Sequence, residues 1–197
     1  MPIAAEAKAA AQLLLQGGLV SFPTDTVYGL ACLATDPEAR RRFYQAKGRP
    51  QDQPSILMAA DIATLTPWLE FTQPASAAAA EFWPGPLTLV LRATAKAEQH
   101  LGEIVRNHTV AARIPAHETA LALLRAVGAP LCTSSANRAG DPPPTTAAQA
   151  RDALGDAVDA VLDGTPGSGR PSSILDLSGP EPKVLRQGAI PAERLLR

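Results

Sequence analysis

Segments typical of helices alternate along the chain with short apolar runs typical of buried strands. Residues 3–16 are rich in strong helix formers and stop at Gly17-Gly18, which predicts a helix. Short apolar runs bounded by Gly, Pro or polar residues predict buried strands at 19–22, 87–91, 110–114 and 131–134. Because helical segments separate these runs, the pattern predicts one α/β domain over residues 1–197, with a twisted, open mixed sheet and helices packed on it.

Capping signals and weaker apolar runs predict the remaining elements. Asp36-Pro37-Glu38 is typical of a helix start, and that helix should end near Lys47-Gly48. Further helices are expected from Asp61 through Leu65 and Trp68, at 75–82, at 117–127 and at 146–154. Further strands are expected at 55–58, 160–162, 173–177 and 183–186, before a C-terminal turn of helix.

Composition narrows the classes of function. The net charge of −1 provides no global basic field for a long nucleic acid, and 4% aromatic residues leave little for stacking bases. Cys32 and Cys132 lie in strand-like apolar runs without a CxxC motif, which predicts two buried thiols. No apolar run approaches the ~20 residues of a membrane span, and no secretory signal is evident, so a cytoplasmic protein without a membrane partner is expected.

Polar side chains follow two of the predicted strands. Thr24-Asp25-Thr26 comes directly after 19–22, and Thr133-Ser134-Ser135-Ala136-Asn137 ends the strand that begins at Leu131. Open α/β sheets bind ligands outside the ends of their strands. These hydroxyl, carboxylate and amide groups are therefore candidates for a ligand site.

Four separated cations complete this candidate site. Lys47 and Arg49 lie two residues apart beside a Gly and a Pro, and Arg113 and Arg186 occupy apolar strand-like runs. An unpaired cation is costly to bury, so cations in such runs need an anionic partner. Together with the strand-end polar groups they predict a positively charged, concave cleft that binds a polyanion.

Other catalytic patterns are poorly supported. Residues 164–171 imitate a phosphate-binding P-loop, but Arg170-Pro171 stand where Lys and Ser or Thr would be needed, so a mobile lid is the favoured interpretation. The histidines (His100, His108 and His117) are scattered, with no HExxH motif, and Ser134 and Ser135 lack a GxSxG elbow. Zinc hydrolysis and a Ser-His-Asp triad are therefore disfavoured.

Five motifs in order carry a resemblance to a known family. They are Pro23-Thr24-Asp25-Thr26-Val27-Tyr28-Gly29-Leu30, Lys47-Gly48-Arg49-Pro50, Arg113-Ile114-Pro115, Ser135-Ala136-Asn137 and Arg186-Gln187-Gly188. With them the chain resembles the YrdC-like family, and more narrowly the short-form bacterial threonylcarbamoyl-AMP synthases, from about residue 10 to residue 190.

The resemblance implies a reaction and its partners. L-threonine, bicarbonate or CO2 and ATP would give threonylcarbamoyl-adenylate and pyrophosphate. Transferase proteins would receive the adenylate and modify N6 of adenosine 37 in tRNAs reading ANN codons. Mg2+ would accompany the ATP without a dedicated protein metal cage. Weak binding of tRNA or other RNA is a secondary expectation.

The same resemblance assigns residues to roles. The signature quartet expected to be catalytic is Lys47, Arg49, Ser135 and Asn137. The residues expected around threonine are Thr26, Arg113, Thr133 and Ser172. The residues expected around ATP are Lys47, Arg49, Gln53, Thr109, Ser135, Asn137 and Arg186. Met58 and Gln53 depart from the family pattern, where long-form members often have a threonine-contacting His and an Asn, respectively.

Two other functions stay open from the sequence. A non-catalytic RNA-binding module would use the basic cleft on a tRNA or a ribosome, although the low net charge and scarce aromatic residues argue against it. An ATP-dependent carbamoyl-transfer enzyme acting on a different carbamate is the third interpretation.

Overall fold

The computed structural model describes residues 3–48 and 55–196, within which eight α-helices form. They are α1 (Ile3–Leu15), α2 (Pro37–Ala46), α3 (Ile62–Leu65), α4 (Gln73–Phe82), α5 (Ala95–His100), α6 (Glu118–Val127), α7 (Ala147–Leu154) and α8 (Ala192–Leu195). Several begin at side-chain caps: the carboxylate of Asp36 accepts from the amides of Glu38 and Ala39. The left-handed conformation of Gly128, at φ 67°, ends α6.

Nine described strands form one mixed sheet. They are β1 (Val20–Pro23), β2 (Tyr28–Leu33), β3 (Ile56–Met58), β4 (Leu87–Arg92), β5 (Thr109–Arg113), β6 (Leu131–Ser135), β7 (Ala160–Val161), β8 (Ser173–Asp176) and β9 (Lys183–Arg186). Their order in the sheet is β7-β1-β2-β6-β3-β5-β4-β8-β9. The β1–β7, β3–β5 and β4–β8 pairs are parallel and the other pairs are antiparallel.

The two faces of the sheet are covered differently. Alternate strand residues such as Leu30, Cys132 and Leu89 point into a large core beneath α2, α4, α5 and α7. On the opposite face, α1 and α6 pack together over Phe22 and Ala31 and build a second, smaller core. These two helices cover the β1 and β2 side of that face, and the cavity described below lies on its β6-to-β9 side.

The predicted fold class, α/β with a mixed sheet and packed helices, is confirmed. Strand β2 was expected only as an apolar, strand-like run around Cys32, without bounds. Among the helices, α5 forms between residues 91 and 110 with Thr94 as its N-cap, where no helix was predicted. The helix predicted through Trp68 ends at Leu65. Both errors concern helices of six residues or fewer, which are too short for a 3.6-residue period to become evident.

The two cysteines are register partners on β2 and β6, and both are buried free thiols, as predicted. Burial, together with the neighbouring Cys132, raises the pKa of the Cys32 thiol well above its usual value. No described helix combines the length and the apolar character that a membrane crossing requires.

Candidate active site

A cavity of about 310 Å³ opens on the sheet face opposite the large core, over β6, β3, β5, β4 and β8. Several polar side chains reach its floor because successive strand residues point to opposite faces of the sheet. Thr133, Arg113 and Thr88 lie on this face, while their strand neighbours Cys132, Ala112 and Leu87 belong to the large core. This volume is at the lower end of the range for small-molecule sites.

Arg113 lies in this floor with 3% of its surface exposed. Its Nη2 donates to Asp25 Oδ1 at 2.6 Å, its Nη1 to Thr26 Oγ1 at 3.1 Å, and its Nε to the carbonyl of Gly85 at 3.0 Å. Burial lowers the pKa of Arg113, and the Asp25 carboxylate opposes that shift. A guanidinium has five N–H donors, so donors remain that can serve a ligand.

A tight turn supplies two of the partners of Arg113. Thr24 Oγ1 donates to the carbonyl of Val27 at 2.7 Å and lies 2.9 Å from Thr26 Oγ1. The amide of Thr26 also donates to Thr24 Oγ1. These local bonds orient the Thr26 hydroxyl and the Asp25 carboxylate, whose Oδ2 is buried without a partner in the described structure.

Arg186 forms the other cationic part of the cavity. Its Nε donates to the carbonyl of Ser172 at 3.0 Å and its Nη2 lies 3.2 Å from Ser172 Oγ. Ser172 Oγ in turn lies 2.8 Å from Thr88 Oγ1, which fixes the hydroxyl between strands. Partial burial and the like charge of Arg113 lower the pKa of Arg186. The two guanidiniums therefore repel each other, which an anion between them would relieve.

Lys47 and Asn137 hold the loop that follows β6. Lys47 is 1% exposed; its Nζ donates to the carbonyl of Ser135 and, at 2.7 Å, to that of Asn137. Asn137 Nδ2 donates to the carbonyls of Arg138 and Asp141 at 2.9 and 2.7 Å. Both side chains thereby determine the course of the backbone beside the cavity wall formed by Ser135.

We expect Lys47→Met to lower the free energy of unfolding by about 2–4 kcal/mol, because two buried carbonyls lose a charged donor. Urea denaturation would measure this change. Lys8→Met, at an exposed position of α1, is the matched control and should alter stability by less than about 0.5 kcal/mol. Equal stabilities of the two variants would contradict a stabilising role of the Lys47 contacts.

The structure brings most of the predicted site residues together. The ones lining the cavity are Thr26, Arg113, Thr133, Ser135, Ser172 and Arg186. Lys47 and Asn137 lie behind the Ser135 wall, bonded to backbone carbonyls. Thr109 shares a face with Arg113 on β5 but is outside the cavity lining; its hydroxyl donates to Arg106 O at 2.7 Å. Arg49 and Gln53 lie outside the described residues.

Two contributors had no role assigned to them: Asp25 was a candidate only as part of the strand-end motif, and Thr88 was not predicted as a site residue. Asp25 forms the ion pair with Arg113, and Thr88 bonds the Ser172 hydroxyl. Each had a signal in the sequence. A buried arginine requires a carboxylate partner, and Asp25 is the carboxylate of the strand-end motif. Thr88 is the polar position within Leu87-Thr88-Leu89, where alternation directs it away from the large core.

Comparisons with known proteins agree with this architecture. Residues 12–188 match the Sua5–YciO–YrdC family, which carries the description telomere recombination. A Bacillus subtilis protein named threonylcarbamoyl-AMP synthase is 40% identical over 94% of this chain and 54% of its own length. A Mycobacterium tuberculosis protein named putative threonylcarbamoyl-AMP synthase is 41% identical over 91% of this chain and 82% of its own length.

The structure of Pyrococcus abyssi Sua5 complexed with L-threonine superposes with a TM-score of 0.91 and 37% identity, covering 98% of this chain and 56% of that one. The chain thus spans about half the length of the Bacillus and Pyrococcus relatives.

Proposed function

Since the chain belongs to the Sua5–YciO–YrdC family, we propose that it is a threonylcarbamoyl-AMP synthase. It condenses L-threonine, bicarbonate or CO2 and ATP into threonylcarbamoyl-adenylate, with release of pyrophosphate and, from bicarbonate, water. The naming of its relatives supports the activity, and the L-threonine bound to the similar Pyrococcus Sua5 supports the amino acid.

The observation that carries the proposal is the convergence of two guanidiniums, Arg113 and Arg186, on one hydroxyl-lined cavity. Arg113 offers its remaining donors to the threonine carboxylate, next to the hydroxyls of Thr26 and Thr133. Arg186, held by Ser172, faces the same space and serves the phosphates or the carbamate. Ser135 provides a further hydroxyl at the wall. The family resemblance keeps Lys47, Arg49 and Asn137 in the proposed catalytic set, and Gln53 and Thr109 as proposed ATP-binding residues.

The proposed reaction requires the protein to neutralise the charges of its anionic reactants rather than to form a covalent intermediate with them. The threonine amine loses a proton and adds to CO2, forming a carbamate anion. A carbamate oxygen then attacks the α-phosphorus of ATP, and the bond to pyrophosphate breaks. Because carbamate and triphosphate are both anions, their approach is opposed in water. Fixed cations in a partly dehydrated cavity reduce that opposition and hold the reactants in line.

Mg2+ enters this proposal as part of the substrate MgATP. Among residues 3–48 and 55–196, no group of three His, Cys, Asp or Glu side chains could hold a metal ion. In this proposal the ion is bound through the phosphates of ATP. The adenylate then passes to tRNA-modifying transferase proteins that act on adenosine 37 of tRNAs reading ANN codons, in the cytoplasm.

The proposal is tested by supplying the purified chain with MgATP, labelled bicarbonate and each of the twenty amino acids in turn. We expect pyrophosphate release and a labelled adenylate with L-threonine alone. Turnover with a different carbamate would favour the carbamoyl-transfer alternative. No turnover, combined with an RNA affinity that falls steeply with salt, would favour the RNA-binding module.

A further inference from the structure

A glycine-rich segment, residues 164–169, lies directly on the turn that supports Arg113. Three of its backbone amides donate to three successive carbonyls: Gly167 to Thr24 at 3.0 Å, Ser168 to Asp25 at 3.1 Å, and Gly169 to Thr26 at 2.9 Å. This segment, called the strap below, therefore binds residues 24–26 through their main chain.

Side chains hold the strap at its other end. The hydroxyl of Tyr28 donates to the carbonyl of Gly164 at 2.8 Å. His117 Nε2 lies 3.1 Å from the carbonyl of Thr165, and since a carbonyl can only accept, this nitrogen carries the proton. His117 precedes α6 but makes no side-chain capping bond to that helix. Its described contact is with the strap.

These contacts differ from those expected for either role considered from the sequence. A phosphate-binding loop presents free amides to its anion, whereas the amides of 167–169 are bonded to protein carbonyls. A lid covers the cavity that it closes, whereas none of residues 164–169 is among those lining the cavity. Its contacts are with the residues that hold a ligand-binding side chain.

We propose that the strap is a positioning element for Arg113. It holds the 24–26 turn, whose Asp25 Oδ1 and Thr26 Oγ1 accept from the two terminal nitrogens of the guanidinium. The strap thereby orients the cation that receives the threonine carboxylate, without touching the substrate itself. The inference rests on the proposed function for the identity of that carboxylate.

Gly167 is a position of the strap that has no room for a side chain next to the turn. A Cβ added there would lie 2.3 Å from the carbonyl oxygen of Asp25 and 2.8 Å from its carbon, so the two segments would have to separate. A Cβ at Gly179, in a turn away from the cavity, would meet nothing within 4 Å. Gly167→Ala and Gly179→Ala are therefore a matched pair that differ in this contact.

The test compares wild type, Gly167→Ala and Gly179→Ala. We expect Gly167→Ala to weaken L-threonine binding about tenfold to a hundredfold, as for loss of a charge-assisted bond, and ATP binding by no more than about twofold. Calorimetry would measure both affinities. In ligand-free protein, amide hydrogen exchange in a peptide covering residues 20–33 should accelerate in Gly167→Ala alone.

His117→Ala provides a second variant with a smaller disturbance. Loss of its bond to Thr165 should weaken threonine about threefold to tenfold and leave ATP within about twofold. Equal losses for threonine and ATP, or unchanged exchange at residues 20–33 in Gly167→Ala, would overturn the positioning role. If wild type bound no threonine, the proposed function would fail, while the exchange difference between the glycine variants would still report on the strap.

Discussion

Arg113→Met is expected to lower the free energy of unfolding by about 3–5 kcal/mol, because it leaves the Asp25 carboxylate buried without its guanidinium. The same change is expected to weaken L-threonine at least about a hundredfold, since a charge-assisted, forked contact is lost. Urea denaturation would measure the first effect and titration calorimetry the second. This residue combines the largest expected structural and functional consequences in the cavity.

The double variant Asp25→Asn/Arg113→Met separates those two consequences. Removing the orphaned charge should recover most of the lost stability, because a neutral amide is less costly to bury than a carboxylate. Threonine binding should not recover. A double variant as unstable as Arg113→Met would argue that loss of the ion pair does not cause the instability.

Arg113→Lys retains the positive charge but loses the forked guanidinium, so it should weaken the binding of threonine more than the binding of ATP. Calorimetry would measure both affinities, and equal losses of affinity would contradict the assignment of Arg113 to threonine.

Arg186→Gln is expected to lower activity strongly while leaving stability almost unchanged. Loss of its bonds to Ser172 and relief of repulsion from Arg113 oppose each other, so stability should change by less than about 1 kcal/mol. In contrast, kcat/KM for ATP should fall about tenfold to a hundredfold, because the proposed cationic contact to the phosphates is removed. Steady-state pyrophosphate release measures the second effect.

Lys183→Gln is the matched control for Arg186→Gln. It removes an exposed cation from the same strand, β9, but from a position outside the cavity lining. Its kcat/KM for ATP should stay within about twofold of wild type. If both variants lost activity equally, general electrostatic attraction of ATP, rather than a specific contact of Arg186, would explain the result.

Much of this architecture follows from local patterns. Hydrophobic periods and caps predicted the α/β class, the Asp36 cap and the strands around Leu89 and Cys132 with nearly correct bounds. Such features depend on residues within one turn of helix or a few strand positions, so neighbouring residues suffice to predict them. The short helix α5 was not predicted, because its six residues make less than two helical turns and show no clear period.

The residue types of the site could be predicted from the sequence, but the contacts between those residues could not. An arginine in an apolar strand predicted a buried cation, and the strand-end threonines predicted polar ligands. That Arg113 pairs with Asp25, 88 positions away, was not evident. A buried charge requires a partner, but this requirement alone does not say which carboxylate of the chain supplies it.

Local sequence patterns sufficed to predict most strands and the longer helices, and the face of the sheet on which strand side chains such as Thr88 lie, but not the short helix α5. Only the packed tertiary structure sets the strand order that brings Thr133, Arg113 and Ile174 onto one cavity floor, and the docking of the glycine-rich strap on the turn at residues 24–26. The physical reason is that alternation is set by neighbouring residues, whereas strand pairing and strap docking join residues tens of positions apart. Those contacts form only when the whole chain packs.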